Sequence, residues 1–153
     1  MVKIGIIGVG NTIGIARNHI DAYNRCPDAV VTAVYDIRSE RAQQTIDEMK
    51  LHDAKACTSL DELFRLCDAV SICTPNATHV ELTVQALKAG KHVLCEKPFA
   101  PTPEECDEAV KYAELTGKVC MIGLCYRDIP GFVYMKQLID AGKLGRIFFV
   151  REE

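Results

Sequence analysis

An acid, a base and a proline, Glu96-Lys97-Pro98, end the short apolar run Val93-Leu94-Cys95. An apolar run of that length reads as a buried strand. Ligands bind at the carboxyl ends of strands in an open parallel sheet, so a lysine at this place can point into a cleft and take part in proton transfer. On a plain surface the same residues would be a solvated pair before a turn. Two further stretches carry residues suited to such a cleft. Gly8-Val9-Gly10-Asn11-Thr12-Ile13-Gly14 follows another apolar run and is similar to the turn G-x-G-x-x-G, with one extra residue before the third glycine. A turn of that kind brings backbone N–H groups close to a pyrophosphate at a helix N-terminus. Gly14 or Ala16 can then allow close helix–strand contact. Asp36 ends the next apolar run, 22 residues after Gly14. An acid there can accept hydrogen bonds from the ribose hydroxyls of an adenosine and repel a 2′-phosphate, which favours NAD over NADP. Arg38 keeps NADP open, because it can stack on adenine or pair with a phosphate. Cys73-Thr74-Pro75-Asn76-Ala77-Thr78-His79 closes a fourth apolar run. Asn76 can cap the helix that follows, and His79, in its first turn, is either an exposed helix histidine or a polar group near the cofactor.

The elements that must position these residues alternate along the chain. Strands are expected over 2–9, 29–35, 54–57, 69–73, 93–95 and 119–124, with a last one over 146–151. Helices lie between them. Ile13, Ala16, Ile20 and Tyr23 recur at helical spacing, as do Ala42, Ile46 and Met49 with Ser39 as the N-cap. Ser59-Leu60-Asp61-Glu62 has the form of a capping box. Ala77, Val80, Val84 and Leu87 mark the next helix, which Gly90 ends. Thr102-Pro103-Glu104-Glu105 opens another helix with a cap, a proline at the first position and two acids, and Gly117 closes it. A helix over 130–141 precedes the last strand. This alternation implies βαβ units with right-handed crossovers and a doubly wound parallel sheet of the α/β class.

Bulk composition sets limits on function. The chain has 153 residues, 48% hydrophobic and 25% charged, and a net charge of −3. That balance, with no clustered basic stripe, argues against a nucleic-acid face. No apolar stretch reaches the 18 residues a membrane span needs, and the short run near residues 4–9 lacks a signal-peptide cleavage pattern. The eight cysteines are scattered with no C-x-x-C pair. They read as free thiols of a cytoplasmic protein without a metal site.

Taken together, the glycine turn, the acid after the second strand, Thr74-Pro75-Asn76 with His79, and Glu96-Lys97-Pro98 resemble one family. It is the glucose–fructose oxidoreductase / inositol dehydrogenase (Gfo/Idh/MocA) family of nicotinamide-dependent oxidoreductases. Residues 86–98 are similar to its most specific segment, and Gly123-Leu124-Cys125-Tyr126-Arg127 and residues 139–145 to later ones. The resemblance implies a Rossmann fold over residues 1–125, with 126–153 a connecting helix and the first strand of a C-terminal substrate domain that is absent or only begun. It implies that Gly8, Gly10, Asn11, Thr12 and Ile13 hold the pyrophosphate, and Asp36 with Arg38 the adenosine. Thr74, Pro75, Asn76 and His79 would line the dinucleotide's path, with Glu96 and Arg127 further along it. Lys97 would be the catalytic residue, touching the substrate hydroxyl and the nicotinamide ribose.

The implied activity is hydride transfer between NAD, or NADP, and a hydroxyl of a sugar, cyclitol or related polyol. The alternative is a non-catalytic dinucleotide-binding sensor on the same fold; Lys97 favours the enzyme. Family members have about twice this length, so the chain is expected to be a cofactor-binding piece, inactive alone and without the second half of its catalytic site. The expected partner is a small-molecule substrate, with neither nucleic acid nor membrane. A homo-oligomer is expected, helped by self-association through residues 146–153, where an apolar strand edge would lie open.

Overall fold

The computed structural model describes residues 1–10 and 14–151. The chain divides into two compact units, Met1–Gly123 and Leu124–Glu153. The first unit alternates β1 (Val2–Ile7), α1 (Ile15–Arg25), β2 (Ala29–Tyr35), α2 (Ser39–Met49), β3 (Lys55–Cys57) and α3 (Leu60–Leu66). It continues with β4 (Ala69–Ile72), α4 (His79–Lys88), β5 (His92–Cys95), α5 (Pro103–Thr116) and β6 (Cys120–Ile122). All six strands run parallel, in the order β3-β2-β1-β4-β5-β6. Each consecutive pair is joined by a helix because parallel neighbours cannot be joined by a tight turn. The order reverses between β1 and β4, which makes the fold a doubly wound Rossmann sheet with its switch point there.

Strand alternation feeds two apolar layers. Ile4 and Ile6 of β1 join Ala16 and Ile20 of α1, Ala42 and Ile46 of α2, and Val34 and Cys73 on one face. Ile7, Leu63, Val70, Ile72, Leu87, Val93 and Cys95 build the other, beneath α3, α4 and α5. Both faces being covered explains why the strands read as continuous apolar runs rather than as an alternation of apolar and polar residues. Fully burying one Ile or Leu side chain is worth about 1.5–3 kcal/mol, and Ile6, Ile7, Ile20, Leu63, Ile72 and Leu87 are all within 1% of full burial.

Helix starts follow the capping residues at two of the expected places. Ser59 accepts the Glu62 N–H at 3.2 Å, and the Glu62 carboxylate accepts the Thr58 N–H at 2.8 Å. Thr102 accepts the Glu105 N–H at 3.4 Å, with Pro103 next to it. Ser39 does not cap. It is the first residue of α2, and no side chain caps that helix. The nearby N–H of Arg38 goes to Asp36 Oδ1 at 3.0 Å instead, so the acid two residues upstream organises this entry. Asn76 makes no capping bond either. The Thr78 hydroxyl lies 2.8 Å from both the Pro75 carbonyl and the Thr74 hydroxyl and shapes that turn.

The second unit holds a short turn at Cys125–Asp128, where Tyr126 stacks on Phe132, and α6 (Pro130–Asp140). The strand expected over 146–151 does not form. A strand needs a neighbour for its N–H and C=O groups, and this segment pairs with none among the described residues. Phe148 and Phe149 are exposed. No helix among the described residues is long and apolar enough to cross a membrane.

All eight cysteines are free thiols, and Cys57, Cys67, Cys73 and Cys95 are buried. Burial pushes the Cys67 thiol up to about 11 and those of Cys73 and Cys95 up to about 12. At pH 8 a thiol of the latter kind is about one part in ten thousand thiolate, and the thiolate is the reactive form. A disulfide-exchange reagent at that pH is therefore expected to label exposed Cys26 at once and the four buried thiols only as the chain unfolds. Rapid labelling of Cys73 or Cys95 in the folded protein would contradict the packing described above.

Candidate dinucleotide site

A cavity of about 610 Å³ opens at the carboxyl ends of β1, β2 and β4, beside the switch point. Ligand clefts of about 300–1,000 Å³ are usual for small molecules and cofactors. Gly8 and Gly10 form one wall, Asp36 and Arg41 a second, and Thr74, Pro75 and Thr78 a third. The turn after β1 is held by β2. Asp36 Oδ2 accepts the N–H groups of Val9 and Gly10, each at 2.9 Å. With Arg38 N–H on Oδ1, the buried carboxylate accepts three backbone donors. It fixes the path of the glycine turn while its edge faces the cavity.

Glycine is required at one position of this turn, and a flexible side chain crowds a second. Gly8 has φ +86°, and a Cβ on it would lie 2.5 Å from Thr74 Cγ2 and 3.0 Å from the Thr74 backbone. A Cβ on Gly10 would meet the Arg41 guanidinium, whose Nη1 donates to the Gly10 carbonyl at 3.2 Å. The turn thus runs close against the Thr74 backbone at Gly8 and against the Arg41 side chain at Gly10. Asn11, Thr12 and Ile13 lie outside the described residues.

The other expected residues are placed as follows. Arg38 is exposed, and Arg41, one turn further along α2, is the cation that lines the cavity instead. Asn76 is exposed and does not line it. His79 is neither exposed nor at the cavity wall. It is 1% exposed, with Nδ1 2.8 Å from the Pro98 carbonyl and Nε2 2.9 Å from the Thr74 carbonyl, so it ties the end of β4 to the segment after β5. Arg127 lies in the second unit, where its N–H donates to the Leu124 carbonyl.

Beyond β5, the Glu96 N–H donates to the Ile72 carbonyl at 3.0 Å, extending the β4–β5 ladder by one bond. Lys97 is exposed and its ammonium has no partner among the described residues. Its N–H donates to Glu96 Oε2 at 3.2 Å.

A polar cluster of three side chains, His19, Ser71 and Tyr23, escapes a reading of the sequence. His19 Nε2 lies 2.9 Å from Glu96 Oε1, and its Nδ1 3.2 Å from Ser71 Oγ, which is 2.7 Å from the Tyr23 hydroxyl. A signal was present. Ser71 is a polar residue inside an apolar strand, and a buried hydroxyl needs a partner. His19 and Tyr23 stand four apart on one face of α1. Ser71, His19 and Glu96 follow one another like an acyl-transfer triad, but Ser71 is fully buried within β4 and can meet no substrate.

Residues 2–124 match the family model described as an oxidoreductase family with an NAD-binding Rossmann fold (Gfo/Idh/MocA). The chain belongs to this family. It is 36% identical over 151 residues to glucose-6-phosphate 3-dehydrogenase of Bacillus subtilis, covering 99% of this chain and 41% of that protein. Identity to inositol 2-dehydrogenase of Salmonella typhimurium is 33%, covering 97% and 44%. Among solved structures, UDP-N-acetylglucosamine 3-dehydrogenase GnnA from Acidithiobacillus ferrooxidans superposes with a TM-score of 0.79 at 34% identity, covering 89% of this chain and 42% of that one. The chain therefore spans about two fifths of the length of the relatives it matches.

Proposed function

We propose that this chain is the dinucleotide-binding part of an oxidoreductase that moves a hydride between NAD and a hydroxyl-bearing carbon of a sugar or cyclitol. The observation that carries the proposal is the alignment of three features along one edge of the sheet. Asp36 stands at the tip of β2, the glycine turn follows β1 beside Thr74 at the tip of β4, and Lys97 stands beyond β5. Adjacent strands are about 4.8 Å apart, so β2 and β5 are separated by about 14 Å. An extended dinucleotide can run from an adenosine at Asp36, past the glycine turn, to a nicotinamide near Glu96 and Lys97. The nicotinamide, when bound, accepts the hydride from the carbinol carbon. Lys97, whose side-chain nitrogen has no partner among the described residues, orients the substrate hydroxyl as an ammonium donor and, in its neutral amine form, takes up the hydroxyl proton as the carbonyl forms. The names of the relatives, dehydrogenases of a sugar phosphate, inositol and a nucleotide sugar, support a polyol substrate.

Asp36 favours NAD over NADP, because a 2′-phosphate there would face a carboxylate already held by three N–H donors. Arg41 attracts a phosphate to the same cavity but is engaged with the Gly10 carbonyl. Calorimetric titration is expected to show NAD binding at least about tenfold more tightly than NADP, a difference of about 1.4 kcal/mol. Equal affinity would overturn the assignment of Asp36, and no binding of either would overturn the site.

A further inference from the structure

One buried side chain touches both ends of the proposed site. His79 is 1% exposed, and its ring stands between two backbone carbonyls, Nδ1 2.8 Å from that of Pro98 and Nε2 2.9 Å from that of Thr74. A carbonyl only accepts, so a neutral ring donates to one of the two and a protonated ring to both. In either state the ring stands between them, out of contact with solvent. At one end, Thr74 forms a wall of the cavity and lies close against Gly8. At the other, Pro98 follows Lys97 directly. A proline has no N–H by which to be held, so its carbonyl is the backbone group that can be fastened. The β4–β5 ladder supplies no substitute among the described residues, because its last bond, from the Glu96 N–H to the Ile72 carbonyl, precedes Lys97.

We propose that His79 is a positioning residue that ties the aim of Lys97 to the dinucleotide wall, so that a ligand seated against Thr74 changes the surroundings of the Lys97 ammonium without touching it. This coupling rests on the functional reading above, under which a diphosphate lies beside the glycine turn and Thr74. An imidazole is rigid, and a closely packed interior passes a displacement on rather than absorbing it. A shift of the Thr74 carbonyl is therefore carried by the ring to the Pro98 carbonyl, one residue from Lys97. The lysine is free to respond, since it is exposed and its ammonium has no partner among the described residues. A dinucleotide settled at the glycine turn thereby aims the lysine for the substrate hydroxyl, and an empty cavity leaves it unaimed.

The test uses ADP, which carries the adenosine and the diphosphate but no nicotinamide to reach Lys97. The unmodified chain, His79→Leu and His79→Gln are labelled with ¹³C-lysine. The Lys97 ε-carbon signal, assigned with Lys97→Arg, is followed by NMR to saturating ADP in each, so that weaker binding does not count. In the unmodified chain ADP is expected to shift that signal. His79→Leu, which bonds neither carbonyl, is expected to lose most of the shift. His79→Gln keeps most of it, since an amide has two N–H groups to give to the two carbonyls. A side chain that served folding alone would lower the melting temperature and leave the shift in place. A shift that persists in full in His79→Leu would show direct action of the diphosphate through space and overturn the inference alone, as would ADP that binds and shifts nothing at Lys97. If neither His79 variant folds, the ring ¹⁵N signals of the unmodified chain decide. ADP is expected to move those of His79, and signals that stand still at saturation would overturn the inference. Absence of ADP binding by the unmodified chain would overturn the functional reading, and the inference with it.

Discussion

Gly8→Ala is expected to lower stability by about 2–4 kcal/mol and to abolish dinucleotide binding. The left-handed backbone at φ +86° costs a residue with a Cβ about 1–2 kcal/mol. The larger effect is steric. The new methyl would sit 2.5 Å from Thr74 Cγ2 and 3.0 Å from both N and Cα of Thr74. A threonine methyl can turn away, but the Thr74 backbone is held on both sides, by the Cys73 N–H on the Ile7 carbonyl before it and by His79 on its own carbonyl. Either β1 or the end of β4 must shift, and both border the cavity. For a chain of this size about 2–4 °C of melting temperature accompanies each kcal/mol, so a fall of about 5–15 °C is expected in a thermal melt. Gly14→Ala is the control. It has φ +68° but nothing among the described residues within 4 Å of the added methyl, so the backbone cost of about 1 kcal/mol is the expected effect. Equal melting points for the two alanine variants would show that the approach of Gly8 to Thr74 is not what the turn requires.

Asp36→Ala is expected to cost about 3 kcal/mol and to weaken NAD binding at least about a hundredfold. Hydrogen bonds to a charged group are worth about 1.5–3 kcal/mol each, and donors left without a partner add their desolvation cost. Three backbone N–H groups lose their acceptor together, those of Val9, Gly10 and Arg38. Water from the adjoining cavity can replace part of this, which keeps the total below three full bonds. Asp36→Asn gives a graded result. Oδ2 accepts two donors and Oδ1 one, so either orientation of the amide turns an NH₂ against a backbone N–H. Its stability is expected to lie between that of the unmodified chain and the alanine variant, and its discrimination against NADP to shrink. A melt and a pair of titrations on each variant check both statements. An Asp36→Ala chain that melts and binds like the unmodified one would refute the view that β2 organises the glycine turn.

The sheet was legible because a parallel sheet buried on both faces writes its strands as apolar runs, and Ser59, Thr102 and Pro103 mark helix starts by chemistry that acts within four residues. The segment at 146–151 shows the limit of that reading. Ile147-Phe148-Phe149-Val150 has the composition of a strand, but a strand is a relation between two segments, and this one has no neighbour to pair with among the described residues. The site was legible at the strand tips, where Asp36, Thr74 and Glu96-Lys97 stand by position alone. Its second layer was not. His19 and Glu96 are 77 residues apart, and Val9 and Asp36 are 27 apart. Local patterns carry no information about such pairs. From the sequence Asp36 reads as a group for a ribose; in the structure it anchors a turn 26 residues upstream. His79 looked like a surface or cofactor-facing residue because helical periodicity marks only the face of a helix, not what stands opposite it.

The two imidazoles approach the segment after β5 from opposite layers of the molecule. His79, on α4, grips the Pro98 carbonyl, and His19, on α1, grips the Glu96 carboxylate. Lys97 lies between these two moorings, its own N–H on the Glu96 carboxylate and the Pro98 carbonyl after it on His79, while its ammonium has no partner among the described residues. The segment behaves like a bridge deck fastened to both banks. Loosening either helix is therefore expected to change the aim of the amine before it disturbs the sheet.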